Sequence, residues 1–131
     1  MADIDTRTSY EKLLFMLCQK VSGVSSKVFT NTRPLATDQM DDFIVVRLTN
    51  DDPYADTHDI GYVQYLVYVR DRQGGIENVP RMGELVAGVK SVYPFNNELA
   101  VSNAKPVQLQ SKSDGLGFHV TIIQFRIVLK N

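Results

Sequence analysis

Apolar residues recur along this chain with two different periods, and the changes of period mark out its elements. Tyr10, Leu13, Leu14, Leu17 and Val21 follow one another at helical spacing until Gly23, which predicts a first helix with one apolar stripe. Thr8-Ser9-Tyr10-Glu11 stands at its start as a capping box, in which the Thr8 hydroxyl and the Glu11 carboxylate each satisfy an amide left open at the helix end. Phe15 and Met16 lie outside the stripe and are expected to be available to another subunit.

The period then shortens. Val28-Phe29-Thr30 is a short strand ended by Arg33-Pro34, since proline removes an amide donor and biases its predecessor to extended geometry, and a loop runs on to Asp42. Phe43 to Leu48 is rich in β-branched residues and almost continuously apolar, the mark of a central strand covered on much of both faces. Tyr62 to Arg70 alternates, with Val63, Tyr65, Val67 and Val69 on one face and Tyr62, Gln64, Tyr68 and Arg70 on the other, which predicts a half-buried strand. Arg72-Gln73-Gly74-Gly75 breaks it. Asn78 then caps a second helix with Pro80 in its first turn, carrying a stripe of Val79, Met82, Val86, Val89 and Tyr93, supported by Leu85 and Val92, and ending near Tyr93-Pro94. Gly83 and Gly88 are expected to let this helix approach the sheet closely.

Pro106 to Lys112 and Phe118 to Leu129 read as two strands folded back around Ser113-Asp114-Gly115-Leu116-Gly117. In that hairpin Val107 and Leu109 are expected to face inward and Gln108 and Gln110 outward. On the last strand Ile123, Phe125, Ile127 and Leu129 share one face, and Gln124 and Arg126 the other. The order helix, three strands, helix, two strands predicts an α+β domain over residues 1–131, with an antiparallel sheet of about five strands and both helices on one face.

Composition narrows the function. The 131 residues, 44% hydrophobic and 22% charged, match an ordinary globular domain that needs no disulfide or metal to build its core. Fourteen Lys and Arg against fifteen Asp and Glu give a formal charge of -1, too few cations to hold nucleic acid tightly by displacing phosphate counterions. A single cysteine, Cys18, in an apolar helical stretch reads as a buried, reduced, inert thiol. The N-terminus lacks the cationic start and apolar run of an export signal, and no apolar run approaches the ~20 residues of a membrane span, so a soluble protein is expected.

No motif for chemistry emerges. Asp51, Asp52, Asp56, His58 and Asp59 crowd the segment from Asn50 to Gly61, but their spacing matches neither a calcium loop nor a zinc motif, and a solvated acidic loop is the reading preferred. A small metal-dependent enzyme or binding module using Asp51, Asp52, His58 and Asp59 is the alternative from another class. His119 has no fixed relation to Cys18 or to a serine and reads as structural. Gly74-Gly75 and Gly115-Leu116-Gly117 lack the strand-to-helix context of phosphate loops, and the tyrosines at 62, 65 and 68 read as packing residues. Neither a catalytic residue nor a cofactor is expected.

The organisation as a whole resembles the phage tail terminator family, with related tail-completion and head–tail joining proteins sharing the layout. The resemblance runs over nearly the entire chain: a leading helix, Val28-Phe29-Thr30-Asn31-Thr32-Arg33-Pro34, the strands Phe43 to Leu48 and Tyr62 to Arg70, a helix ending in Val92-Tyr93-Pro94, and a closing hairpin. It implies a structural, non-enzymatic role in a virion tail assembled in a host bacterial cytoplasm. A homo-oligomeric ring, a hexamer, would cap the head-proximal end of the tail tube and end its polymerisation. Its implied partners are other copies of itself, the major tail tube protein and head–tail connector proteins, with DNA passing through without tight binding. A connector or stopper is the nearest variant. On this reading Tyr62, Gln64, Tyr68, Arg70, Gln124 and Arg126 are candidates for the surface between subunits, and Asp51, Asp52, Asp56 and Asp59 for a loop facing tube or lumen, where negative charge lets DNA slide.

Overall fold

The computed structural model describes residues 9–25, 27–35, 37, 39–49, 60–102 and 105–129. Within them the chain forms α1 (Ser9–Lys20), β1 (Val28–Thr30), β2 (Asp42–Thr49), β3 (Ile60–Arg70), α2 (Val79–Lys90), β4 (Phe95–Asn96), β5 (Ala100–Ser102), β6 (Val107–Gln108), β7 (Lys112–Ser113) and β8 (Phe118–Leu129). The fold is α+β: two helices and a mixed sheet in the order β1-β2-β3-β8-β5-β4, with β6 and β7 also paired to β8. The sheet exceeds the expected five strands because residues 95–102 add the short strands β4 and β5, too brief to leave a period in the sequence. It is mixed because β1 runs parallel to β2, with Val28 opposite Ile44 and Thr30 opposite Val46.

Both helices cover one face. From α1 come Leu13 and Leu17, with Val21 of the turn after it, and from α2 come Met82, Leu85, Val86 and Val89. They meet Ile44 and Val46 of β2, Val63, Tyr65 and Val67 of β3, and Ile123, Phe125 and Ile127 of β8, most of them fully buried. Each such side chain removed from water contributes about 1.5–3 kcal/mol before ordering costs, so this layer is the main source of stability. Tyr65 brings a buried phenol, which donates to the carbonyl of Leu17 at 3.0 Å and so satisfies a last-turn acceptor of α1.

The second helix starts as its sequence predicts: Asn78 Oδ1 accepts from the Arg81 amide at 3.4 Å and proline occupies the first turn. Its stripe, however, begins at Met82, because Val79 at the helix start remains 62% exposed. The glycines differ from expectation too. Gly83 faces open space, and Gly88 admits Val24 of the turn after α1, whose Cγ1 would lie 2.9 Å from an added Cβ, rather than a strand of the sheet. Met16 is half-buried against the helical layer, its sulfur accepting from Asn97 Nδ2 at 3.4 Å, whereas Phe15 is 49% exposed as anticipated.

The closing hairpin turns where predicted. Asp114 Oδ1 accepts from the amides of Leu116 (2.7 Å) and Phe118 (3.1 Å), and Gly115 and Gly117 take the positive φ of 76° and 92° that the turn requires. Its outgoing strand is broken. Leu109 stands opposite Ile122, to whose carbonyl its amide donates at 2.8 Å, and Lys112 stands opposite Val120, so Gln110 and Ser111 together face Thr121 alone: a bulge splits the strand into β6 and β7. Val107 and Leu109, expected to face inward, are 54% and 44% exposed. They lie on the side of the sheet away from the helices, where nothing among the described residues encloses them.

Candidate functional site

Three rows of residues cross β2, β3 and β8 on the helix-free face in register: Phe43–Tyr68–Val120, Val45–Leu66–Ile122 and Arg47–Gln64–Gln124; a fourth pairs Tyr62 with Arg126. The first two rows are apolar and the last two polar. Half of this face therefore needs a cover.

The cover is the segment between β1 and β2. Arg33 lays its guanidinium 5.5, 5.7 and 5.2 Å from the ring centres of Phe43, Tyr68 and Phe118, while its Nε donates to Asp114 Oδ2 at 3.0 Å in the hairpin turn. The Arg-Pro pair in the sequence is thus a clamp fastening loop to hairpin over an aromatic cluster. Tyr68 stacks on Phe43 with centroids 4.5 Å apart. Burial pushes its phenol pKa up, against the pull of the Arg47 and Arg33 guanidinium groups. Arg70 stands over Phe118 at 4.8 Å and donates to the carbonyls of Met40 (2.9 Å) and Thr37 (2.7 Å). Tyr68 and Arg70 occupy the predicted face, but Tyr68 lies inside the chain's own second core and Arg70 lies at its edge.

The other predicted face residues stay together at the polar end. Tyr62, Gln64 and Gln124 are half-buried, Arg126 is exposed, and Gln64 Nε2 donates to Gln124 Oε1 at 3.0 Å. Arg47, which the sequence did not single out, joins them with its Nε bonded to the carbonyl of Asn31 at 2.9 Å. Asp51, Asp52, Asp56, His58 and Asp59 lie outside the described residues.

A polar cleft of about 430 Å³ at the opposite end of the strands left no mark in the sequence, because its residues come from three separate stretches. Asp41 and Asp42 lie at the start of β2, Arg70 ends β3 with Asp71 and Arg72 following it, and Asn78 and Arg81 open α2. Arg81 donates to Asp42 Oδ2 through Nε (3.1 Å) and Nη2 (2.9 Å), and to Glu84 at 2.9 Å. These bonds, Asp42 first, raise its pKa above the ordinary arginine range. Ser25 donates to the other Asp42 oxygen at 2.8 Å, and Arg72 to Asn78 at 3.2 Å. Asp42 is committed to Arg81 and Ser25, which makes the cleft a brace between the sheet and α2. His119 pairs with Asp71 at 2.5 Å, and the Asp71 amide donates to Gly117, so the histidine ties the hairpin to the end of β3. No three His, Cys, Asp or Glu side chains among the described residues converge on a metal-binding arrangement.

The sheet margins offer the remaining surfaces. Alongside β1 an apolar groove of about 410 Å³ is lined by Glu11, Leu14, Phe15, Cys18, Val28 and Thr30. Cys18 is half-buried there rather than sealed in the core, and desolvation pushes its thiol pKa up. Across the sheet the β6 arm exposes Val107 and Leu109. No described helix is long and apolar enough to cross a membrane.

No family model matches the chain, and no curated protein matches it in sequence. Among solved structures, one chain superposes with a TM-score of 0.68 over 97% of this chain and 98% of its own length, at 10% sequence identity. That likeness is one of fold.

Proposed function

We propose that this protein is a structural component of a phage or prophage tail, a terminator or completion protein whose copies close into a ring at the head-proximal end of the tail tube. One observation carries the reading: the sheet ends in two different margins, each with exposed apolar side chains beside it, Phe15 next to β1 and Val107 with Leu109 on the β6 arm. Unlike margins on opposite sides of one molecule suit a head-to-tail interface, and such an interface makes a ring when its rotation closes. The layout from Phe29 through Arg33-Pro34 to Tyr93-Pro94 supports the tail assignment, and Arg33 has a structural reason to stand where it does.

In this role the polar patch of Tyr62, Gln64, Gln124 and Arg126 meets a neighbour or the tube, and Asp51, Asp52, Asp56 and Asp59 supply negative charge to the lumen. Light scattering and negative-stain microscopy of the purified protein test the reading. Rings of about six copies that halt polymerisation of a tail tube protein are expected, and a monomer at high concentration overturns it. Replacing the four aspartates together with asparagine should impair tail joining or genome ejection, and undiminished infectivity removes the lumen role.

A further inference from the structure

We infer that the β6 arm of one copy seats in the groove between α1 and β1 of the next, joining the subunits front to back. The inference rests on the ring reading and names the joint on which that ring is built.

The backbone of both margins is oriented for pairing. The Ile44 amide donates to the Lys27 carbonyl and the Asn31 amide to the Val46 carbonyl, each at 2.9 Å, so the odd-numbered residues from 27 to 31 turn their backbone to β2. Val28 therefore turns its amide and carbonyl outward, toward any strand laid alongside, and Thr30 its amide, its carbonyl accepting from Thr32 at 2.8 Å. On the arm, Leu109 bonds to β8, and Gln108, out of phase with it, turns its amide and carbonyl away from the sheet. The bulge at Gln110 and Ser111 stops this open edge after a few residues, which matches the three residues of β1 and limits the pairing to a short docking contact.

Side chains agree with the backbone. Phe15 is 49% exposed in the groove, and Val107 and Leu109 are 54% and 44% exposed on the arm, so both surfaces present apolar area to be covered on docking. Charge has the matching sense: Glu11 rims the groove, and Lys105 and Lys112 flank the arm. A second copy of this chain is the occupant because both complements reside on one molecule, at margins separated by β2, β3 and β8. Such a joint cannot be satisfied within a symmetric pair that uses one patch twice, and it propagates until it closes.

The single cysteine makes the joint directly testable, since Cys18 lines the groove. In the full-length Leu109→Cys variant, oxidation with copper phenanthroline should give a reducible ladder of dimer, trimer and higher species ending at the ring. A ladder forms because each copy offers one thiol on the arm and one in the groove. The same variant carrying Cys18→Ser should give no species beyond a dimer. Rings seen by microscopy with no ladder, or with dimers alone, overturn the joint while leaving the ring reading intact; a monomeric protein overturns both. Charge reversal reads the same contact without cross-linking. Glu11→Lys and Lys112→Glu should each raise the concentration needed for assembly about tenfold, and the two together should restore it. Equal weakening by the single and double variants, with circular dichroism unchanged, counts against the contact.

Discussion

The two faces of this sheet are sealed by opposite means. Beneath the helices, aliphatic side chains from α1 and α2 interlock with β2, β3 and β8, and polar groups are few, the Tyr65 phenol among them. On the other side the cover is an irregular loop, and the cluster under it is aromatic: Phe43, Tyr68 and Phe118 beneath the Arg33 guanidinium. A helix brings its own satisfied backbone and a broad apolar stripe. A short loop brings neither, so it holds its place through two cations: Arg33, which contacts three rings and a carboxylate, and Arg70, which donates to the carbonyls of Thr37 and Met40. The helical layer should thus be stable by area, and the aromatic layer by a few specific contacts made by two side chains.

The largest effect belongs to the helical layer. Phe125 is fully buried, edge-on to Tyr65 at 5.6 Å, and Phe125→Ala should cost about 4 kcal/mol in urea unfolding; a loss below about 1 kcal/mol would place the stability elsewhere. Next comes the clamp. Arg33 and Asp114 side chains are 18% and 9% exposed, so Arg33→Met should cost about 3 kcal/mol by stranding the carboxylate. Arg33→Met combined with Asp114→Asn, which removes the charge and keeps the Oδ1 acceptor for the turn amides, should cost less than Arg33→Met alone. Equal losses would mean that the rings, and not the ion pair, need the guanidinium.

The phenols on the two faces extend the contrast to pH. Burial raises the Tyr65 pKa far above its ordinary value with no cation to offset it, whereas Arg47 and Arg33 pull Tyr68 back. Because a raised pKa leaves the native state holding a proton that the unfolded chain releases, stability should be level below about pH 10 and fall as pH climbs beyond it. Tyr65→Phe should lose about 1 kcal/mol at neutral pH, from the Leu17 carbonyl left without its donor, and flatten the alkaline decline. An unchanged decline would assign it to Tyr68.

The smallest test uses α2. Gly83→Ala meets open space and should gain about 0.5–1 kcal/mol, while Gly88→Ala drives a methyl into Val24 and should lose about 1 kcal/mol. Thermal unfolding of the pair measures how tightly α2 is packed against the turn after α1.

Much of this was legible in the chain. The helices, the strands β1, β2, β3 and β8, and the turn at Asp114 to Gly117 follow from local period, caps and glycines, because each depends on residues adjacent in sequence. The assignment of faces along β3 was also correct, residue by residue, yet it did not reveal that Tyr68 is enclosed while Tyr62 and Gln64 remain at an open end. That depends on where the loop from Asn31 to Asp41 lies. The groove beside β1 and the brace around Asp42 and Arg81 were invisible for the same reason, since their members are separated by tens of residues.

Alternation of apolar and polar residues fixed which way each side chain points, because a strand or helix imposes that direction on its own residues. Packing decided which of those directions end in water. Arg33 reached across to Asp114, Val24 filled the notch at Gly88, and a one-residue bulge turned Val107 and Leu109, expected to face inward, to the open side of the sheet. Those outcomes are set by contacts between distant segments, which exist only once the chain has closed on itself.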